Sequence, residues 1–284
     1  MITFKNTEVV GWKAAIRGMR NPLESWEKSD SGYGCDLNLC SKCGYTPIPG
    51  EGVDCGRFPD FIVGPNDLDL MKRLRNAGTD HRKFMRMIVV YVDITAPSYF
   101  WKEFDTYKIG TVANSTSTMH CIHKKEFTLE DFSTEHLFGD EDMLKWDERT
   151  DIAKDHALAA VNVNGDWCYF SPKGYIQMTC NMLNRFRQLY LETKDKKYWW
   201  QMIQLLPFSY HYTRTVMMNY EVLANIYKSR KNHKLDEWAE HEEMLYTTDL
   251  DGNKKESIKG KHGFCDWITT LPYSELITGE NNDT

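Results

Sequence analysis

The feature that most constrains the fold is the run Met87-Ile-Val-Val-Tyr-Val-Asp-Ile94, followed at once by Thr95-Ala-Pro97. Its β-branched residues between polar clusters predict a strand buried on at least one side. Proline fits the first helical turn, so a short helix through Trp101 and Phe104 is expected from Pro97. A polar loop with Gly110, Asn114 and Ser117 follows this strand and helix, as expected for a site held on a rigid scaffold.

Elsewhere the punctuation is helical. Asn66 is read as the N-cap of a helix of about three turns carrying Leu68, Met71 and Leu74, and Gly78 is read as the left-handed residue beyond its end. Ser171-Pro172 starts a helix with Tyr175, Met178, Met182, Phe186 and Leu189 at helical spacing, and Pro207 stops another over Lys197 to Leu206. Val216, Tyr220, Leu223 and Tyr227 form an apolar stripe in a helix expected from about Tyr212 to Glu243. The segment around Arg17-Gly-Met-Arg20-Asn-Pro is read as a basic turn after an N-terminal β element. Together these give a mixed α/β (α+β) fold: a single domain over residues 1–284, with a Gly/Pro/Cys-rich insertion at 35–55 and a mobile loop at 244–263.

The chain has 284 residues, 41% of them hydrophobic, and a formal net charge of −6. That charge argues against a nucleic acid polymer as partner, while leaving room for a local basic pocket for one nucleotide phosphate. The N-terminal residues lack a signal-like apolar core and Met87–Val92 is too short to span a bilayer, so no membrane association and a cytoplasmic location are expected. Cysteines in that compartment are reduced, and clustered ones read as metal ligands. Cys35, Cys40, Cys43 and Cys55, with Cys-Ser-Lys-Cys-Gly resembling a zinc knuckle, could close a tetrahedral zinc site. Free thiols in a loop and an iron–sulfur cluster are the alternatives.

Two stretches, Asp93–His120 and Leu205-Leu-Pro207 through Asn219-Tyr-Glu-Val-Leu-Ala-Asn225 to Arg230, resemble the flavin-dependent thymidylate synthase family in order and spacing. In that family an Arg-His-Arg triplet precedes a serine; here Thr106-Tyr107-Lys108 precedes Asn114 and Ser117. A helical arginine of the family is Glu221 here, another arginine position is Met119, and Ile203 or Gln204 stands where a third precedes the Leu-Pro motif. The resemblance implies FAD as cofactor, NADPH and methylenetetrahydrofolate as co-substrates, dUMP or a related pyrimidine nucleotide as substrate, and a homotetramer with FAD at subunit interfaces. It assigns Ser117 and Arg230 to the reaction site, Ser117 as a positioning residue. Lys108, Asn114, Asn219, Asn225 and Arg86 would then serve cofactor and nucleotide. Substitute anion donors are available in Arg17, Arg20, Lys83, Arg86 and Arg214. A nucleotide- or flavin-binding protein without methyl transfer, and a pyrimidine nucleotide hydroxymethylase, are the two alternatives.

Overall fold

The computed structural model describes residues 1–34, 60–139, 160–163, 166–169, 171–241, 244–248, 253–259 and 262–279. The four cysteines of the proposed zinc site lie outside them.

Strand β1 (Thr3–Val10) leads into helix α1 (Trp12–Arg20), and the short strands β2 (Gly32–Gly34) and β3 (Asp60–Ile62) pair antiparallel before helix α2 (Pro65–Asn76). Strand β4 (Val89–Pro97) runs into α3 (Ser98–Phe104), β5 (Val112–Ser115) and the single turn α4 (Thr118–Cys121). A hairpin of β6 (Ala160–Val163) and β7 (Asp166–Tyr169) precedes the helix pair α5 (Pro172–Thr193) and α6 (Lys196–Leu205). Strand β8 (His211–Asn219) then joins α7 (Tyr220–Arg230), a hairpin of β9 (Met244–Thr248) and β10 (Lys254–Lys259), and the short helices α8 (Phe264–Thr269) and α9 (Glu275–Thr278). The fold is therefore mixed α/β, and its centre is an antiparallel sheet of order β1-β4-β8-β5.

Alternation explains the sheet. Val90, Val92, Ile94 and Ala96 of β4 are buried, and Val90 and Val92 stand opposite the buried Met218 and Val216 of β8. The other face is polar: Thr95 and Thr213 hydroxyls meet at 2.7 Å, and Thr215 donates to Asp93 at 2.6 Å. Against the apolar face packs an aromatic cluster in which Phe100 and Phe104 of α3 lie 4.4 and 6.2 Å from the Trp238 ring, with Phe264 of α8 beside them. A second, smaller core joins α5 and α6 to the loop 122–132 through Ile122, Phe127, Phe132, Leu183 and Met202.

Several sequence expectations hold. Ser171 caps α5 by accepting from Gly174 N at 2.9 Å, α6 ends at Leu205 two residues before Pro207, and Gly78 has φ +108°. Others need correction. The basic turn at Arg17–Arg20 is the last part of α1, and the chain turns only at Asn21–Leu23. Gly64, not Asn66, caps α2; Asp30 takes the Asn66 and Asp67 amides at 2.9 and 3.1 Å.

The expected helix from Tyr212 is a strand as far as Asn219. Thr213, Thr215 and Val216 are β-branched, and β4 offers a full ladder of backbone partners, so pairing wins over helical spacing. Helix starts only where Asn219 Oδ1 accepts from Val222 N at 3.0 Å. Part of the stretch read as a loop at 244–263 is the β9–β10 hairpin.

Candidate functional site

Pairing of β5 with β8 places the two motif-bearing segments side by side, with Asn114 opposite Thr215 and Ser115 opposite Arg214. The loop before β5 crosses the start of α7. Gly110 there has φ +75°, and a Cβ on it would lie 2.9 Å from Asn219 Nδ2 and 3.0 Å from Val222 Cγ2. Both the conformation and the close approach call for glycine. Asn219 is thus the cap of α7 and the surface on which the 108–111 loop rests.

Arg230, at the far end of α7, is four-fifths buried and held from all sides. Its Nε donates to Tyr107 Oη at 2.8 Å and its Nη1 lies 2.8 Å from Glu103 Oε2. The guanidinium also lies over the Tyr107 and Trp238 rings, 5.7 and 5.2 Å from their centres. His233 Nε2 stands 2.7 Å from Nη1, while His233 Nδ1 lies 3.1 Å from Leu235 N. Nε2 also lies 3.5 Å from Glu103 Oε2. Arg230 Nη1 and His233 Nε2 thus both lie near Glu103 Oε2, an oxygen buried without a hydrogen bond among the described residues.

A cleft of about 340 Å³ opens beside this group, lined by Phe104, Asp105, Tyr107, Lys108, Thr111 and Ala113. Lys108 is exposed in it, and the Thr111 hydroxyl is buried without a hydrogen-bond partner among the described residues. Asp105 is committed to Arg214, whose Nη1 is 2.5 Å away. Arg214 also donates to Tyr212 Oη at 2.9 Å and lies 4.3 Å from the Trp101 ring centre.

A second cleft, about 560 Å³, lies past the other end of β5 and includes Ser117, Lys124, Asp131, His211 and Thr213. Ser117 caps α4, and its Oγ lies 2.7 Å from His120 Nδ1. Lys125 is paired with Asp131 at the rim. Burial holds His211 low, at about 4, so its imidazole is neutral near pH 7.

The structure thus gathers Tyr107, Lys108, Asn219 and Arg230 around one loop but leaves Ser117 in a separate cleft. Asn114 is exposed on β5 between the two, and Asn225 is exposed on α7 with its carbonyl accepting from Ser229. Arg86 is bound to Glu221: its Nη2 lies 3.2 Å from Oε1, its Nε contacts Oε2, and Arg82 Nε reaches the same carboxylate at 3.2 Å. Hydrogen bonding to Arg86 holds the Glu221 carboxyl below the usual range. The departure at Glu221 is therefore compensated within the chain.

Arg20 is likewise consumed by Asp67 at 2.6 Å. Of the substitute cations, Arg17 and Lys83 have no ion-pair partner among the described residues. Glu103 and Thr111 carry no motif of their own; only their positions flanking the Tyr107-Lys108 segment could have drawn attention to them. Among the described residues no cluster of His, Cys, Asp and Glu could hold a metal ion, and no helix is long and apolar enough to cross a membrane.

Fold and clefts define a mixed α/β protein with polar recesses at both ends of an edge strand. No protein-family model and no curated protein matches the chain. Solved structures similar to it include thymidylate synthase X (ThyX) from Helicobacter pylori with FAD and dUMP, at 15% identity and TM-score 0.45, covering 82% of this chain and 84% of that one. A second structure of the H. pylori flavin-dependent thymidylate synthase, complexed with FAD and dUMP, gives the same identity and TM-score over 82% and 85%.

Proposed function

We propose that the chain binds FAD and a pyrimidine nucleotide of the dUMP class and acts as a flavin-dependent thymidylate synthase. Methylenetetrahydrofolate would supply a one-carbon unit to C5 of the nucleotide, and NADPH the reducing equivalents. The observation that carries this reading is the meeting of the two motif segments: Arg230 Nε on Tyr107 Oη, and Gly110 against Asn219. Bound FAD supplies the redox chemistry, which leaves the protein to bind and orient.

The donors beside the 340 Å³ cleft fit part of such a ligand. Lys108 provides a free charge for a phosphate, the unpartnered Thr111 hydroxyl a hydrogen bond, and exposed Asn114 both a donor and an acceptor. Arg230 can join them by exchanging Glu103 for the nucleotide anion, keeping its ring contacts. Ser117 orients rather than attacks, since no nucleophilic side chain is required. Because Lys108 and Ser117 open onto different clefts, a homotetramer is part of the proposal: neighbouring copies would bring the two clefts to one ligand.

One observation favours a second reading, a flavin- or nucleotide-binding protein without methyl transfer. Glu221 is shared by Arg82 and Arg86 and offsets one of their two charges, and Glu103 pairs with Arg230, so part of the phosphate-gripping charge is spent inside the chain. The purified protein, desalted after saturation with FAD, decides first. Retained flavin absorbance supports both readings, and none retained sinks the flavin enzyme. Product analysis with dUMP or dCMP, methylenetetrahydrofolate, FAD and NADPH then separates methylation from hydroxymethylation and from binding alone.

A further inference from the structure

Arg17, which has no ion-pair partner among the described residues, stands on a different face of the molecule. A recess of about 890 Å³ opens there between α1, the β2–β3 ribbon and the segment before α9, with Lys13, Arg17, Tyr33, Phe61 and Tyr273 among its walls. A second recess of about 400 Å³ shares Lys13, Arg17, Tyr33 and Phe61, so the two form one groove with the cations at its junction. Lys13 and Arg17 are one helical turn apart and both exposed, while Trp12, Ala15, Ile16 and Met19 bury the other side of α1. Neither cation has an ion-pair partner among the described residues, and no carboxylate lines either recess. In a chain of formal charge −6, this is a local excess of uncompensated positive charge.

The groove also offers flat apolar surface. Tyr33 is 68% exposed, its ring edge-on to Phe61 with centroids 5.3 Å apart. Tyr273 is held at φ +52°, a conformation rare for a bulky residue, by Val63 N–H donating to its hydroxyl at 2.9 Å and by the Trp12 ring 5.1 Å away. Its position in the wall is thus fixed by the fold. Two free cations between aromatic surfaces match a ligand that combines phosphate with a planar ring. Arginine's fork suits phosphate oxygens, aromatic faces stack on bases, and the volume lies in the range of small-molecule sites.

We propose that this groove is a nucleotide-binding site, with Lys13 and Arg17 on the phosphate and the Tyr33–Phe61 pair against the base. It stands apart from the Arg230 cleft and does not depend on the flavin reading. Calorimetric titration of the full chain with AMP, adenosine and inorganic phosphate tests it. AMP should bind at least about tenfold more tightly than adenosine or phosphate alone. The double variant K13Q/R17Q should lose at least about tenfold in AMP affinity with an unchanged melting midpoint, since both side chains are exposed, and Y33A should also weaken AMP. R230A should leave AMP affinity as it is. No AMP binding at millimolar concentration, AMP affinity insensitive to K13Q/R17Q, or loss of it in R230A would each overturn the assignment. Phosphate binding as tightly as AMP would reduce the groove to a simple anion site and overturn the nucleotide claim.

Discussion

Two arginine–carboxylate pairs, Arg20–Asp67 and Arg230–Glu103, use the same chemistry to opposite ends. Asp67 is fully buried and all its valences are filled: Arg20 Nε at 2.6 Å, Ser29 and Ser31 hydroxyls at 2.6 Å, and Asp30 N at 3.3 Å. Arg20 spends its other nitrogens on the Ser25 and Lys28 carbonyls. By contrast Glu103 is 36% exposed, and Arg230 rests on aromatic rings as much as on its carboxylate. A closed pair ties α1, the 25–31 loop and α2 together and cannot let go without stranding a charge. A partly open pair can trade its carboxylate for another anion more cheaply than a closed one, because about a third of the Glu103 side chain already meets water. The difference distinguishes a framework pair from one able to exchange its anion, as the proposed site requires.

The contrast breaks most visibly at Asp67. Asp67→Asn leaves Arg20 buried without its counter-charge and should cost about 3–5 kcal/mol in denaturant unfolding. A loss below about 1 kcal/mol would mean the pair is not closed. Burial pushes the Asp67 carboxyl up, but the Ser29, Ser31 and Arg20 hydrogen bonds outweigh it and hold the group below its ordinary value. Its contribution is therefore present at neutral pH and lost as pH falls through that depressed value.

Next in size is a second buried charge centre, where His241 Nδ1 meets Asp266 Oδ2 at 2.6 Å and Asp236 Oδ1 lies 3.7 Å from Nε2. Asp236 and Asp266 raise the imidazole to about 9. A raised folded value gives stability that is complete below about 6.5 and lost as pH climbs through about 9. The melting midpoint should fall across that window, and His241→Gln should flatten the slope; an equally steep slope in the variant would reassign it to other groups.

At the open pair the effects should shift from stability to binding. Arg230→Ala should weaken dUMP at least about tenfold, while costing less stability than Asp67→Asn. Unchanged dUMP affinity with a large loss of stability would place Arg230 in the framework instead.

How much of this was legible in the sequence differs between the same two kinds of region. The strand at Val89–Pro97, the caps at Ser171 and Gly78, and the stop at Pro207 rest on local chemistry, and local chemistry is written in neighbouring residues. The β8 strand was hidden because Val216, Tyr220, Leu223 and Tyr227 satisfy a helical period by chance across a strand–helix junction; only the partner strand, far away in sequence, decides between them. The candidate site was legible as residue types but not as pairings. Glu221 could be recognised as a departure, yet nothing local says that Arg82 and Arg86 lie against it, 139 and 135 residues away. Likewise Arg230 and Glu103 meet only because β4 pairs with β8, which sets α3 beside α7.

Glu221 supplies the smallest effect and the finest test, because it falls between the two classes. The side chain is nearly buried, but Arg86 is 53% exposed and Arg82 21% exposed, so the pair is closed on one side and open on the other. Glu221→Gln keeps the shape while freeing both guanidinium groups, and with Arg86 in water the stability cost should be well below that of Asp67→Asn. If these arginines face a bound anion, FAD affinity should rise a few-fold, and the gain should shrink as salt is raised, since it comes from exposed charge. Equal FAD affinity in variant and parent at low salt would mean that Arg82 and Arg86 belong to the framework, leaving Lys108 and Arg230 to meet the phosphate alone.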